Sequence, residues 1–288
     1  MKIALIQLNS QPDRARNLKA AQELMEQAVA REQPDLIVLP EHFDWTGGTA
    51  EDKRLAADRV PGGEAYALVQ AFAAKHRVWV HAGSLLEKSP GFERIYNTTV
   101  VFDSSGRQVG VYRKIHLFDI TAPDGKVYAE SATVAPGNQL LIYEINGFRV
   151  ACAICYDLRF SGLFNRLSAE GVDLFVLPAA FTEQTGKDHW EVLCRARAIE
   201  FQAYLAACGQ CGSYLAPGGE ERRTFGHSMV CDPWGDVIAR AAGKVTIVTA
   251  ALDASRLKEV RQWIPMRDHR LDLSGVDVRA SNLGTRRP

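Results

Sequence analysis

Pro34-Asp-Leu-Ile-Val-Leu-Pro-Glu-His-Phe43 and Val172-Asp-Leu-Phe-Val-Leu-Pro-Ala-Ala-Phe181 carry one pattern twice. Each is a short apolar run, opened by Asp and closed by Pro, of the kind that forms a buried strand. Each follows a stretch with helical periodicity and runs on into polar sequence. A buried strand fed by a helix belongs to a βαβ-type layer. The echo therefore predicts two related halves, packed sheet against sheet with helices outside. A plainer reading, that buried strands simply look alike, leaves the symmetry open.

The surrounding sequence supports layered α/β structure. Lys2 to Leu8 is an apolar strand, and Asp13 to Arg31 and Glu64 to His76 have helical periodicity. Strands follow around Val78 to Leu86 and Asn97 to Asp103. The stretch Lys114 to Asn138, broken by Pro123, Gly125, Pro136 and Gly137, reads as a long loop, and long loops in compact domains are often functional. Asn146-Gly147 between two apolar runs is a hairpin signal. Leu158 to Glu170 and Lys187 to Gln202 read as helices, with a strand at Tyr204 to Cys208. Gly226 to Ala251 holds further strands around the turn Pro233-Trp-Gly235.

Composition sets broad limits. Hydrophobic residues make up 47% of the 288 and charged residues 24%, enough to bury a sizeable core, and no linker-like composition divides the chain. One domain over residues 1–288 is expected. Lys+Arg and Asp+Glu are both 34, so no net field draws nucleic acid or anionic lipid, and a small-molecule partner is favoured. The opening MKIALIQLNSQPDR lacks a signal-peptide core, and no apolar run reaches membrane-spanning length. A cytoplasmic location is expected, where the six cysteines stay reduced.

Cys155 lies in Val150-Ala-Cys-Ala-Ile-Cys-Tyr-Asp-Leu-Arg159, where an apolar strand gives way to polar, helix-starting residues. A thiol at such a junction is expected to be exposed, with helix N-terminal N–H groups favouring its thiolate and the Tyr156 N–H facing an oxyanion. Taken alone, a Cys in an apolar strand is more often an inert core residue. Glu41, at the end of the first echoed strand, is expected in a partly apolar pocket that raises its pKa toward neutrality, so that it exchanges a proton with the thiol. Lys114 leaves a strand for the long loop and is placed to offer an ammonium to a tetrahedral intermediate. Each of these two residues also has an ordinary surface reading.

Together, LPEHF at Glu41, YRKIHLFD at Lys114, Tyr128-Ala-Glu-Ser131 and CYDLRF at Cys155 resemble the nitrilase superfamily of carbon–nitrogen hydrolases, in that family's order and spacing. Asp188-His-Trp-Glu-Val-Leu-Cys-Arg-Ala-Arg-Ala-Ile-Glu200, Phe225-Gly-His-Ser228 and Asp232-Pro-Trp-Gly235 extend the resemblance over nearly the whole chain. It implies an α/β fold of the four-layer αββα sandwich type, no metal or organic cofactor, and pairing into at least a homodimer. The core would run to about residue 265, with the C-terminal tail at the oligomer interface. It also implies Glu41 as general base and acid, Cys155 as thioester-forming nucleophile, Lys114 as oxyanion stabiliser, and Glu130 as a second carboxylate that positions Lys114 or substrate.

Within the superfamily the chain looks most similar to omega-amidases and deaminated-glutathione amidases, which act on amides of carboxylate-bearing molecules. Arg159 is then the natural carboxylate anchor, with pairing to Asp157 or Glu170 as its structural alternative. Phe43, Phe181 and Thr185 are expected as pocket walls after the two echoed strands, with Tyr156, His116 and His189 as further substrate-binding candidates. Ser161-Gly162 departs from the Pro-Glu common in that branch and weakens the substrate assignment. Nitrile hydrolysis and decarbamoylation use the same four groups. A binding or scaffold protein on a retained fold is the non-enzyme alternative, although all four groups are present.

Two other constellations compete. Cys152-x-x-Cys155 and Cys208-x-x-Cys211 have zinc-like spacing within each pair, but far more than the about 15–20 residues of a ribbon-type site separate the pairs. A papain-like Cys–His pair would draw on His116, His189 or His227, with nothing in the sequence to choose among them.

Overall fold

The computed structural model describes residues 1–89, 91, 93–271, 273, 275 and 276 of the chain. The two echoed segments occupy matching places in two sheets. In the first, Leu36–Val38 lies between parallel neighbours Lys2–Gln7 and Trp79–His81. In the second, Leu174–Ala179 lies between parallel neighbours Phe148–Cys152 and Tyr204–Gly209.

The first sheet is seven-stranded. Its order is Thr246–Ala251, Lys2–Gln7, Leu36–Val38, Trp79–His81, Ile95–Phe102 and Leu85–Lys88, with Gln108–Arg113 also paired to Ile95–Phe102. The second is six-stranded: Val237–Arg240, Met229–Cys231, Tyr204–Gly209, Leu174–Ala179, Phe148–Cys152 and Ile142–Ile145.

Strand alternation explains the layers. Ile3, Leu5, Leu36 and Val38 point inward and pack with Val150, Cys152, Leu174 and Val176 of the facing sheet. Their neighbours Ala4, Ile6 and Ile37 point outward onto the helices Arg14–Glu32 and Glu64–His76, meeting Leu18, Met25, Val69 and Phe72. On the second sheet, Phe175 meets Phe164 of Ser161–Ser168 and Phe201 of Glu183–Phe201, with ring centroids 5.0 and 6.0 Å apart. Both faces of these strands are thus apolar, so they read as continuous runs. Each fully buried Leu, Ile or Phe contributes about 1.5–3 kcal/mol. The result is the expected αββα sandwich.

Asn146 and Gly147 have φ of 49° and 77°, the paired positive values of a tight hairpin turn, and Phe148 pairs with Ile145 across it. Other expectations need correction. The Lys114–Asn138 stretch is not loop throughout: Asp119–Thr121 and Val127–Ala129 form a small hairpin, followed by a 3₁₀ turn at Glu130–Ala132. The helix expected from Leu158 begins at Ser161, because Cys155–Arg159 forms a 3₁₀ turn first. A helix at Ala50–Ala56, a hairpin of Cys211–Leu215 with Glu221–Phe225, and a helix at Ala254–Trp263 were not expected. Among the described residues the last regular element ends at Trp263, and the tail expected at an oligomer interface lies largely outside them.

Candidate active site

Both echoed strands end at one cavity of about 330 Å³, within the usual range for a small-molecule site. Glu41 lines it from the first sheet, and Ala180 and Phe181 from the second. The corner holding Glu41 is tightly built. The Ser84 N–H donates to Pro40 O at 3.2 Å, the Ser84 hydroxyl accepts from the His42 N–H at 2.9 Å, and Gln210 Nε2 donates to Glu41 O at 3.0 Å. Gly83 is required here: its φ is +46°, and a Cβ would lie 2.0 Å from Pro40 O.

Lys114 follows the strand Gln108–Arg113, and its Nζ donates to Glu41 Oε1 at 3.0 Å and Glu130 Oε2 at 2.8 Å. Glu130 stands on the 3₁₀ turn of the long loop, its Oε2 also accepting the Phe118 N–H at 2.7 Å. Asn97, inside Ile95–Phe102, ties the carboxylates together: its Nδ2 donates to Glu41 Oε1 at 2.8 Å and to Glu130 Oε1 at 3.3 Å. Nothing in the sequence near Asn97 signals this role.

Cys155 opens its 3₁₀ turn with φ of +47°, a strained conformation for a side-chain-bearing residue. Asp157 over-determines the turn. Its Oδ2 accepts the Ile154 N–H at 2.9 Å and the Tyr112 hydroxyl at 2.7 Å, while its Oδ1 accepts the His116 N–H at 3.0 Å and lies 2.7 Å from His116 Nδ1. One buried carboxylate thus joins the cysteine turn to the segment that follows Lys114. Cys155 lines the same cavity as Glu41, Lys114, Glu130 and Ala180, close enough to Glu41 and Lys114 for both charges to shift its titration.

The electrostatics reverse two expectations. Cys155 is buried rather than exposed, and burial together with the adjacent Glu41 charge pushes its thiol up; Lys114 and the Ala180 N–H only partly offset this. Burial alone would raise Glu41 too. Lys114, His42 and the bonds from Cys155 and Lys114 outweigh it and hold Glu41 down to about 2. Lys114 is pushed down by burial but carried well above the usual lysine range by Glu130, Glu41 and Cys155. At rest the proton sits on sulfur and Glu41 is ionised.

The remaining candidates divide. Tyr156, Arg159, Phe181 and Thr185 line the cavity. Arg159 lies over Phe181, 5.2 Å from the ring centroid, with Nη1 3.1 Å from His189 Nδ1. It makes no carboxylate pair among the described residues. Asp157 is taken up as above, and the Glu170 carboxylate pairs with Arg166. Phe43 does not reach the cavity, being fully buried in the helix-side core of the first sheet. His116 is held by Asp157 and stacked on Phe160, exposed His189 meets Arg159, and His227 bonds Phe225 O; none lines the cavity. None of the three histidines offered for a papain-like pairing is therefore at the cavity that holds Cys155. The zinc tetrad does not gather either: Cys152 faces His81, and Cys208 donates to Ile6 O and Val38 O. The single cluster of possible metal donors among the described residues is Glu41, His42 and Glu130, whose carboxylates Lys114 already bridges.

The sequence profile of the family described as Carbon-nitrogen hydrolase matches residues 2–262. The chain belongs to the carbon–nitrogen hydrolase family. This hydrolase is 39% identical over 271 residues to a deaminated glutathione amidase of Synechocystis, covering 93% of this chain and 97% of that protein. It is 35% identical over 280 residues to the omega-amidase NIT2 of Xenopus tropicalis, covering 96% and 97%. Among solved structures it is similar to Saccharomyces cerevisiae Nit3, a member of branch 10 of the nitrilase superfamily, with a TM-score of 0.82, 29% identity, and 92% and 94% of the two chains covered. The hydrolase thus acts on carbon–nitrogen bonds other than peptide bonds.

Proposed function

We propose that this hydrolase cleaves the amide of a small carboxylate-bearing molecule, an omega-amide such as α-ketoglutaramate or deaminated glutathione, through a thioester on Cys155. The observation that carries the reading is the gathering of Cys155, Glu41, Lys114 and Glu130 at one cavity, with Lys114 bonded to both carboxylates. The names of the relatives favour this substrate class, and Arg159, which pairs with no carboxylate among the described residues, supplies the anchor for the distal carboxylate.

The shared lysine accounts for how a strongly acidic Glu41 serves as base. As sulfur attacks the carbonyl carbon, charge builds on the carbonyl oxygen, and Lys114, with the Tyr156 N–H, stabilises it. Lys114 then holds Glu41 less firmly, and the affinity of Glu41 for the thiol proton rises as the sulfur releases it. Glu41 passes that proton to the nitrogen and the C–N bond breaks. Water next attacks the thioester, its proton goes to Glu41, and the C–S bond breaks to return the acid and the thiol. Glu130 keeps Lys114 charged and placed throughout.

Two further assignments accompany this. Exposed Ile199, Trp234 and Trp263 lie near one another, with Trp234 and Trp263 5.6 Å apart and Ile199 against Gly235, an apolar surface suited to a second copy in a homodimer. All six cysteines are free, which suits a reducing cytoplasm; no helix among the described residues is long and apolar enough to cross a membrane.

The test is a product-release screen over α-ketoglutaramate, deaminated glutathione, simple aliphatic amides, nitriles and N-carbamoyl amino acids, with trapping of the acyl-enzyme by mass. Turnover of the carboxylate-bearing amides with an acyl increment on Cys155 is expected. Turnover confined to nitriles or carbamoyl compounds would replace the substrate assignment, and no acyl increment with any compound would favour the scaffold alternative.

A further inference from the structure

His42 is a base at the cavity that the mechanism above does not use. Its main chain is fixed at both ends: the N–H donates to Ser84 Oγ at 2.9 Å, and the carbonyl accepts Thr46 Oγ1 at 3.2 Å and Gln210 Nε2 at 3.4 Å. These bonds hold φ at +56°, a conformation that residues with side chains seldom adopt. Such strain persists only where the surroundings over-determine it. Its outcome here is an imidazole that lines the cavity, with 20% of the side chain exposed.

The ring nitrogen nearest the chemistry is Nε2. It lies 3.8 Å from Glu41 Oε1, too far for a hydrogen bond, and 3.4 Å from Asn97 Nδ2. Asn97 directs its two N–H groups to nearer oxygens, Glu41 Oε1 at 2.8 Å and Glu130 Oε1 at 3.3 Å, so its hold on Nε2 is loose. An amide nitrogen only donates, which makes Nε2 the accepting nitrogen of the ring and places the ring proton on Nδ1. Burial, with the charges of Lys53 and Lys114, keeps the imidazole below its usual pKa against the pull of Glu41 and Glu130, and at neutral pH it is uncharged. Nε2 and Glu41 are thus two acceptors, separated by more than one hydrogen bond and less than two. One water molecule that donates to both spans such a gap.

We infer that His42 is a catalytic residue of the second half-reaction, accepting one hydrogen of the water that hydrolyses the Cys155 thioester while Glu41 takes the other. The inference rests on the amidase reading above and deepens it. With its two hydrogens directed to Nε2 and to Glu41, the water turns an oxygen lone pair to the thioester carbonyl carbon. The C–O bond forms, the proton on the Glu41 side moves to that carboxylate, the C–S bond breaks, and the sulfur recovers the proton from Glu41. The hydrogen held by His42 stays on oxygen and leaves with the carboxylic acid. His42 orients the water and keeps its own protonation state. The first half-reaction, in which sulfur is the nucleophile, needs no such water.

The test uses succinamate, an omega-amide carboxylate with no ketone for hydroxylamine to attack, and measures how the succinyl-enzyme divides between water and added hydroxylamine. Succinate and succinyl hydroxamate arise from the same thioester, so their ratio does not depend on how fast that thioester was made. His42→Asn and His42→Gly are the informative replacements, because both residues accept the left-handed backbone and neither carries a nitrogen out to the Nε2 position. In each, the ratio of hydroxamate to succinate is expected to rise by about 10- to 100-fold over wild type at the same hydroxylamine concentration, the value of one hydrogen bond lost in a buried site. Without hydroxylamine, a succinyl mass increment on Cys155 should build up. An unchanged product ratio in either variant would overturn the inference. So would a fall in total turnover at constant ratio, the mark of a residue that only steadies Glu41 for both half-reactions. Absence of both ammonia and succinyl-enzyme with the wild-type enzyme would instead remove the amidase reading, and the inference with it.

Discussion

Lys114 Nζ lies 3.0 Å from Glu41 Oε1, and both side chains are only 2% exposed. A buried pair of this kind keeps the carboxylate ionised while the neighbouring thiol stays protonated. Glu41→Gln should therefore have two opposite effects. Turnover should fall by about 10²–10⁴-fold, the usual contribution of a general acid–base group. Alkylation of Cys155 by iodoacetamide should become easier at a given pH, because removing the Glu41 charge lowers the thiol pKa. Reduced labelling across the pH range in this variant would contradict the charge arrangement.

Asn97 bridges the two carboxylates without lining the cavity, so its effect should pass through their basicity. Asn97→Ala removes a hydrogen bond that stabilises ionised Glu41 and should raise its pKa. The acid limb of the kcat/KM profile should then move to higher pH, with kcat reduced about tenfold. A profile of unaltered shape would reduce Asn97 to a packing residue.

Arg159 has no carboxylate partner among the described residues, and its cation lies over Phe181 at the cavity wall. For a carboxylate-bearing amide, Arg159→Ala should raise KM by about 10–100-fold and change kcat much less, the pattern of lost uniform binding. Unchanged kinetics would remove the anchor role.

Asp44 is a stability sensor beside the site. Burial pushes its carboxyl up to about 7, against the opposing influence of Arg14, whose Nη2 is 3.6 Å away. Between its ordinary value of 3.8 and about 7 the folded chain holds a proton that the unfolded chain has released. Stability from this group is thus full at low pH and lost as pH rises toward 7. Asp44→Asn should flatten the fall in Tm between pH 5 and 8, by on the order of 5 °C. A variant whose Tm falls as steeply as that of the wild type would show that Arg14 keeps Asp44 ionised throughout.

The layers were legible because both faces of the central strands are apolar and because Asn146-Gly147 can form only a narrow set of turns. Glu41, Lys114, Glu130 and Cys155 were legible as parts of motifs, and the structure brings them together. Asn97, Asp157 and Gln210 were not. Each contributes through partners tens to hundreds of residues away, and an Asn inside a strand has no local signature. The protonation of Cys155 and Glu41 was misjudged for the same reason, since it depends on which charges surround them after folding. Phe43 and Phe181 close the same repeated pattern, yet one fills the core and the other the wall, because the chain turns differently after each strand.

The proton acceptor hangs from one sheet and the sulfur from the other, across a mainly apolar seam where His81 of the first layer meets Cys152 and Tyr143 of the second. Sliding one layer over its partner by a single ångström would preserve nearly all of the burial yet pull the two reacting groups out of register. The packed seam between the halves is in that sense the alignment jig of the chemistry, and changes far from the cavity that reseat it would silence the enzyme while leaving it folded.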